Sequence, residues 1–122
     1  MRKILFLLLL PFAAMPTLAQ ENTDWITSVE LSAKLRIMDG DRMFPGTVEG
    51  RLAGARIQYR AQFIPFLRNM DYFQSRWGMS DGRYKAATEQ FTKAGFTEYS
   101  HTTFYDRSGS TVHQVTWVLI SR

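Results

Sequence analysis

The spacing of hydrophobic positions predicts two helices. The first runs from about Thr27 to Gly40, because Thr27 and Glu30 have the spacing of a capping box and an Asp-Gly pair closes the segment. Its apolar residues also alternate as in a strand, so a strand stays open as an alternative. The second helix is predicted between the N-cap Ser80 and Gly95, with one apolar face (Tyr84, Ala87 and Phe91).

Each predicted helix is followed by a predicted β-hairpin. The first has a strand ending near Leu52, a turn at residues 53–55 and a returning strand over residues 56–64. The returning strand alternates cleanly between an apolar face (Ile57, Tyr59, Ala61 and Phe63) and a polar face (Arg56, Gln58, Arg60 and Gln62). The second hairpin covers residues 96–106 and 111–120, with a turn around Ser108-Gly109.

The two helix–hairpin segments match each other at a spacing of 53 to 55 residues. Four pairs of equivalent positions carry the match: Thr27 with Ser80, Gly40 with Gly95, Tyr59 with His113, and Phe63 with Trp117. The pattern predicts one α+β domain over residues 20–122, built from two duplicated helix–β-hairpin units (about 27–64 and 80–120). We expect the units to pack as one antiparallel-sheet domain about a pseudo-twofold axis, with residues 65–79 as the connector.

The N-terminal segment has the organisation of a cleavable secretory signal peptide. Arg2 and Lys3 precede an apolar run over residues 4–10, and small residues follow around Ala19-Gln20. The apolar segment is about a dozen residues long and contains Pro11, whereas a membrane-spanning helix needs about 20 apolar residues. The sequence therefore predicts a periplasmic or secreted protein with no membrane span after cleavage.

Removal of the signal peptide changes the charge of the chain. The full sequence has 15 basic and 11 acidic residues, and cleavage after residue 19 leaves 13 basic residues, a net charge of +2. The basic residues are scattered, which excludes the clustered footprint of a nucleic-acid-binding protein. The chain has no cysteine, so neither disulfides nor a thiol nucleophile contribute. No cofactor is predicted.

Several residues resemble those of a known family. The segment Ala94-Gly95-Phe96 and the closing strand His113–Trp117 resemble the bacterial tandem repeat domain, in which a repeat typically ends in Tyr-Ala-Ala-x-Trp. This module occurs in exported bacterial proteins, often beside β-lactamase-like serine hydrolases. The resemblance implies an exported helix–hairpin repeat and carries over no catalytic residue. The chain departs from the usual setting, since it has only two units and no Ser-x-x-Lys motif.

Residues 78–82 (Gly-Met-Ser-Asp-Gly) match the Gly-x-Ser-x-Gly nucleophile elbow. That elbow requires an α/β-hydrolase sheet beneath the serine, and 103 residues are too few to build one. Ser80 is therefore interpreted as a helix cap. A small extracytoplasmic serine hydrolase, or an accessory or inhibitor of one, remains the alternative function.

The two histidines are candidate metal ligands in the second hairpin. A two-residue turn would place His101 and His113 on opposite faces, whereas a three- or five-residue loop would bring them to the same face. Two imidazoles fall short of the three or four ligands of a zinc site, so His113 is predicted to be a packed, hydrogen-bonded residue. Asp39, Asp41 and Glu49 resemble a sparse calcium loop without its full ligand set, and turn positions explain the two aspartates better.

Two surfaces are candidates for binding. Arg56 and Arg60 lie on the polar face of the returning strand, where they could hold a carboxylate or sulfate. The connector is rich in aromatic and basic residues (Arg68, Tyr72, Arg76 and Trp77), a composition typical of interface hot spots. The sequence thus predicts an exported, non-enzymatic binding module for another extracytoplasmic protein or an envelope polymer, with no metal.

Overall fold

The computed structural model describes residues 20–121, and the predicted signal peptide lies outside them. The described chain contains two helices and six strands in an α+β arrangement. In chain order they are β1 (Glu21–Asn22), α1 (Ser28–Gly40), β2 (Met43–Ala53), β3 (Arg56–Pro65), β4 (Met70–Met79), α2 (Asp81–Lys93), β5 (Thr97–Tyr105) and β6 (Thr111–Ile120).

Both helices begin at the predicted caps. The Thr27 hydroxyl accepts a hydrogen bond from the amide of Glu30, whose carboxylate accepts from the Thr27 amide, so the capping box is complete. The Ser80 hydroxyl accepts from the Arg83 amide in the same way. The interpretation of Ser80 as a cap is confirmed.

The two helices end differently. Gly95 has φ +93°, and the amides of Gly95 and Phe96 bond back to Thr92 and Phe91, which is the Schellman arrangement expected at this glycine. Helix α1 ends at Gly40, as predicted, and the left-handed conformation there belongs to Arg42, with φ +59°.

The strands form two three-stranded antiparallel sheets, with orders β1-β3-β2 and β4-β6-β5. A two-residue turn joins β2 to β3, which places Ala53 opposite Arg56. The predicted faces of β3 are observed, with Tyr59, Ala61 and Phe63 buried. Ile57 is 39% exposed because it lies near the turn.

Residues 65–79 contain a strand that the sequence pattern did not reveal. We expected an irregular connector, whereas Met70–Met79 form β4 and pair with β6. The register of β4 shifts between Met70 and Tyr72 and again between Arg76 and Met79. A β-bulge inserts an extra residue and so reverses the side-chain alternation, which hides the period of two that identifies a strand.

The loop of the second hairpin has five residues, from Asp106 to Ser110. Tyr105 pairs with Thr111, and His101 pairs with Val115. The two-residue alternative for this turn is wrong, and the register agrees with the five-residue alternative. Both imidazoles therefore lie on the same face of the second sheet.

Three apolar clusters hold the molecule together. In the first, α1 packs on the first sheet, around Leu31 and Phe63; in the second, α2 packs on the second sheet, around Phe91 and Trp117. The third joins the two sheets (Phe44, Met70 and Val118). β6 is buried on both faces, and even Gln114 and Thr116 are almost completely enclosed.

Candidate functional site

Arg60, on the polar face of the first sheet, is held by its neighbours. Its Nη2 and Nε atoms donate to Glu49 Oε1 at 2.8 and 3.0 Å. Its guanidinium also lies 4.5 Å from the ring centroid of Trp25, and Arg51 lies 4.2 Å from the same centroid. Arg56 is exposed at the start of β3. The charge of Arg60 is already compensated, so the arrangement does not favour capture of an anion by an arginine pair.

A shallow polar cleft of about 400 Å³ adjoins this arginine. Its walls come from β1, β2 and β3 (Asn22, Thr47, Glu49, Arg60, Ala61 and Gln62). The amide, hydroxyl and carboxylate groups suit hydrogen bonding to a polar ligand, but the only apolar side chain in the lining is Ala61. Because small-ligand sites gain much of their affinity from apolar walls, this cleft is a weak candidate.

A second cleft, of about 340 Å³, follows strand β4. We call it the edge cleft. One wall comes from α1 and the segments beside it (Leu35, Asp39, Arg42 and Phe66), and the other comes from β4 (Asp71, Tyr72, Phe73, Gln74, Ser75 and Arg76). Two of the predicted binding residues, Tyr72 and Arg76, thus line one cleft together.

The β4 wall of the edge cleft is a continuous run of six residues, from Asp71 to Arg76. Side chains of a strand alternate between its two faces, so a cleft on one face would be lined by every second residue. A continuous run instead places the cleft along the side of the strand. β4 is the outermost strand of its sheet, with β6 on its other side. The edge cleft therefore runs beside an open strand edge.

Aromatic side chains and both signs of charge meet in the edge cleft. Phe66 and Phe73 contact each other edge to face at 6.0 Å, and the Arg42 guanidinium lies 4.6 Å from the Phe66 ring centroid. Tyr72 is 66% exposed, so most of its ring is available to a ligand. Aromatic and arginine side chains of this kind dominate the binding energy of protein interfaces.

The other predicted connector residues lie elsewhere. The Trp77 indole N–H donates to the Ser28 hydroxyl at 2.9 Å, and its ring packs 6.4 Å from that of Tyr59. Trp77 therefore serves to join β4 to the start of α1. Arg68 is exposed in the turn before β4 and is absent from the walls of both clefts.

Four side chains form a row on the second sheet, joined by two hydrogen bonds and one longer contact. His113 Nε2 lies 2.6 Å from Asp81 Oδ1, and His113 Nδ1 lies 2.8 Å from His101 Nε2. His101 Nδ1 in turn lies 3.7 Å from Glu98 Oε2. If His113 donates to Asp81 through Nε2, its Nδ1 accepts from His101. We refer to this group as the imidazole chain.

Tyr84 covers the imidazole chain. Its ring stacks on His101 and on His113, at centroid distances of 4.5 Å in both cases. Its hydroxyl donates to Glu98 Oε1 at 3.1 Å. Burial raises the pKa of the Tyr84 phenol, and the hydrogen bond and negative charge of Glu98 raise it further. The prediction that His113 is packed and hydrogen-bonded agrees with this geometry, since its side chain is 10% exposed.

The geometry at Ser80 can be compared with that of a nucleophile elbow. The Ser80 hydroxyl accepts from the Arg83 amide, and both ring nitrogens of His113 are engaged by Asp81 and His101. A serine nucleophile needs a free imidazole nitrogen as its general base. In this geometry Ser80 caps helix α2, and His113 offers it no free nitrogen.

The three carboxylates of the candidate calcium loop do not come together as a ligand set. Within residues 20–121, no group of three or more His, Asp and Glu side chains is placed to hold a metal ion. Asp39 lies in the last turn of α1 and Asp41 caps its end, whereas Glu49 lies in β2 and pairs with Arg60. The helix end explains the two aspartates, as the turn interpretation expected.

Sequence reasoning missed two parts of these sites. The imidazole chain depends on the five-residue loop, for which the signal was the run Asp106–Ser110, rich in turn-forming residues. The far wall of the edge cleft depends on which segments pack beside β4, and nothing local in the sequence encodes that.

Both helices of the described chain are too short to span a bilayer, with 13 residues each.

Comparisons with family models, with curated proteins and with solved structures give no match to this chain. The resemblance to the bacterial tandem repeat domain therefore stays a prediction.

Proposed function

We propose that this chain is an exported, non-enzymatic binding module that holds an extended segment of another extracytoplasmic protein along β4. The observation that carries the proposal is the edge cleft, whose wall is six consecutive residues of an outermost strand. An extended segment placed there would add a fourth strand to the sheet order β4-β6-β5. Strand addition of this kind supplies affinity through main-chain hydrogen bonds.

The side chains of the edge cleft supply the selectivity in this proposal. Asp71 and Arg76 stand at opposite ends of the β4 wall, and Asp39 and Arg42 belong to the other wall. Tyr72 and Phe66 add one aromatic ring to each wall. We therefore expect a segment that carries apolar or aromatic side chains together with charged residues of both signs.

The chemistry of the edge cleft favours a protein ligand over an envelope polymer. A polysaccharide has no backbone amides with which to extend a β-ladder, so it would leave the open edge of β4 unused. The other cleft, at Arg60 and Glu49, is the place where a polar polymer would be expected to bind.

The proposal is tested by site-specific photo-crosslinking in envelope extract. A photoreactive residue at Tyr72 is expected to capture a protein, and Arg76→Glu introduced into that chain should reduce the yield at least fivefold. Tyr105 is the matched control, because it is also an exposed tyrosine, 70% exposed, on the strand at the opposite end of the same sheet. Equal capture of the same protein from position 105, or capture of polysaccharide alone, would contradict the proposal.

The location is part of the same proposal. Export predicts that the protein recovered from cells begins at Gln20 and is found outside the cytoplasm. N-terminal sequencing of the protein from the periplasmic and medium fractions tests this. Recovery of an intact Met1 in the cytoplasmic fraction would refute export while leaving the edge cleft to be tested by crosslinking.

The non-enzymatic part of the proposal has its own test. Because the Ser80 hydroxyl accepts from the Arg83 amide and both nitrogens of His113 are engaged, we expect no labelling of the native chain by a fluorophosphonate probe. Labelling that is lost in Ser80→Ala and on heat denaturation would support the hydrolase instead.

The scaffold of this module is proposed to be a duplication. Each half has the order strand, helix, hairpin, and in each sheet the last strand of the half lies in the middle. Ile26, just before the cap of α1, bridges to Tyr59, and Met79, just before the cap of α2, pairs with His113. This agreement supports units that start at β1 and β4. A superposition of the halves in an experimental structure should pair Tyr59 with His113, and a different pairing would count against duplication.

A further inference from the structure

Helix α1 carries two apolar stripes. Leu31 and Met38 face the first sheet and are buried. Val29 and Ile37 are 79% and 64% exposed, and the exposed Ala33 lies midway between them. Residues four positions apart lie on the same face of a helix, so these three form a continuous outer stripe. We call it the outer stripe of α1.

The charges beside the outer stripe are arranged symmetrically about Ala33. Glu30 lies three positions before Ala33 and Arg36 three positions after it, so they flank the stripe on opposite sides. Both are exposed. The other basic residue here, Lys34, already forms an ion pair with Glu21 at 2.8 Å. In the described part of the chain, Arg36 has no ion-pair partner within 4.0 Å.

We propose that the outer stripe of α1 binds the outer stripe of a second copy of this chain. The two helices run antiparallel about a twofold axis through Ala33. A rotation of this kind places Val29 against Ile37 of the second copy, Ala33 against its own counterpart, and Glu30 against Arg36 of the second copy. Every apolar side chain meets an apolar one, and each charge meets the opposite charge.

Helix-packing geometry is compatible with this pairing. A stripe with a spacing of four residues is the i±4n ridge of a helix, and two such ridges interdigitate at a crossing angle of about −50° with axes about 8–10 Å apart. A small residue is required where the axes cross, and Ala33 occupies that position. A membrane surface is a poorer partner, because interfacial helices present a predominantly basic polar face, whereas this stripe has an acid on one side and a base on the other.

The dimer is expected to be weak. A stable interface buries at least about 1,200 Å² in total, and contact between single 13-residue helices covers less. We therefore expect a reversible equilibrium that becomes visible at high protein concentration.

Sedimentation equilibrium of residues 20–122, which contain every described helix and strand, tests the association. The native chain should dimerise with increasing concentration. Ala33→Glu should leave it monomeric at all concentrations up to about 1 mM, since it brings two carboxylates together on the axis. Arg36→Glu places a glutamate against Glu30 of the second copy at both ends of the interface. This repulsion should raise the dissociation constant about threefold to tenfold. Tyr105→Ser removes an exposed apolar residue elsewhere and should change nothing.

Cysteine cross-linking tests the position of the axis, because the native chain has no cysteine. With helix axes about 8–10 Å apart and Cα atoms about 2.3 Å from each axis, the two Cα atoms at the crossing are about 3.4–5.4 Å apart. This range overlaps with that of disulfides, about 4.4–6.8 Å. Ala33→Cys should oxidise to a dimer at least tenfold faster than Thr92→Cys, an exposed position on α2.

Three results would overturn the inference: a chain that stays monomeric at 1 mM, a dimer that Ala33→Glu leaves intact, or equal cross-linking rates at positions 33 and 92. None of these bears on the edge cleft, which Leu35 lines from another face of α1. Circular dichroism of Ala33→Glu is the folding control, and an unchanged spectrum is expected because position 33 is exposed.

Discussion

Gly50 on β2 allows a close approach between the two halves of the molecule. A Cβ atom at this position would lie 2.4 Å from Cε1 and 2.7 Å from Cδ1 of the Phe104 ring, and 3.3 Å from Tyr59. Phe104 packs edge to face on Tyr59 at 6.5 Å, so it has little freedom to withdraw. The absence of a side chain at Gly50 is therefore a packing requirement.

This contact gives a prediction for two glycines. Gly50→Ala should lower the free energy of unfolding by about 1–3 kcal/mol, because it overpacks the contact with Phe104. Gly82→Ala is the control: a Cβ there has nothing within 4 Å in helix α2, so it should raise stability by up to about 1 kcal/mol. Urea denaturation of both variants tests the prediction, and a Gly50→Ala chain as stable as the native one would contradict it.

Tyr84 gives a prediction for alkaline pH. Its pKa in the folded state is raised above the ordinary value of 10.0 by burial and by Glu98. A raised pKa means that the stabilisation is fully present below pH 10 and is lost as the pH rises through the folded-state pKa. Tyr84→Phe cannot ionise at this position, so it should lose less stability above pH 10 than the native chain does. Denaturation curves at pH 8 and pH 11 give the comparison.

Tyr59 is a second source of the alkaline effect. Burial raises its pKa as well, with no contribution from a carboxylate. Tyr59→Phe should therefore also reduce the alkaline loss of stability, and the two substitutions together should reduce it further. If both single variants lose as much stability as the native chain between pH 8 and pH 11, the raised pKa values are not the cause.

At the scale of secondary-structure elements, the pairing of β5 with β6 depends on the loop from Asp106 to Ser110. Asp106 Oδ1 accepts from the Ser108 amide, the Ser108 hydroxyl and the Ser110 amide, at 2.7 to 2.9 Å. These bonds hold the pKa of Asp106 below its ordinary value of 3.8. The loop sets the pairing of His101 with Val115 and therefore the face on which the imidazole chain is built.

Asp106→Ala should loosen this hairpin. Amide exchange of the residues next to the loop is expected to accelerate, and the chemical shifts of both imidazoles to change, while the first hairpin stays unaffected. In the native chain, the contribution of Asp106 is present above pH 3.8 and is lost as the pH falls through its lowered pKa. The alanine variant should lack this component of acid sensitivity. An unchanged exchange pattern would show that the loop does not determine the register.

The elements differ in how far the sequence predicts them. Helix caps depend on residues three positions apart, so Thr27 with Glu30 and the end of α2 at Gly95 could be identified locally. β4 could not, because its bulges interrupt the alternation. The apolar residues of α1 alternate as in a strand, although the segment is the predicted helix, because the helix has both a buried stripe, with Leu31, and an exposed one, with Val29.

At the scale of the whole molecule, the two halves share contacts along β2 and β5. The Thr102 hydroxyl donates to the Val48 carbonyl, and the Thr116 hydroxyl donates to the Pro45 carbonyl at 2.8 Å. Arg107 donates to the Gly54 carbonyl at 3.1 Å. Together with the apolar cluster around Phe44 and Val118, these hydrogen bonds hold the two halves against each other.

We therefore expect the described domain to unfold as one cooperative unit. Leu31→Ala in the first half should lower the free energy of unfolding by about 2–5 kcal/mol, and Trp117→Ala in the second by about 3–5 kcal/mol, since both side chains are fully buried. In each variant, NMR probes in the two halves should report the same transition midpoint. Separate midpoints would mean that the halves are independent.

The edge cleft is lined by residues from both halves of the molecule, so the sequence alone predicted only some of them. Tyr72 and Arg76 were identifiable from composition, because aromatic and arginine residues concentrate in residues 70–77. Their neighbours Asp39 and Arg42 come from the other half, and only the packing of the two sheets brings them to β4. The ion pair of Arg60 could not be predicted for a similar reason, since its partner Glu49 lies on the adjacent strand.

The position of β4 also affects the order of folding. The hairpins β2–β3 and β5–β6 pair strands that are neighbours in sequence, whereas α2 and β5 separate β4 from its partner β6 in the chain. Closing that long interval costs more chain entropy than closing a hairpin, so β4 should join its sheet last. Until then the edge of β6, with Val115 and Trp117, is open to other chains. The folding chain is therefore most prone to aggregation during this interval.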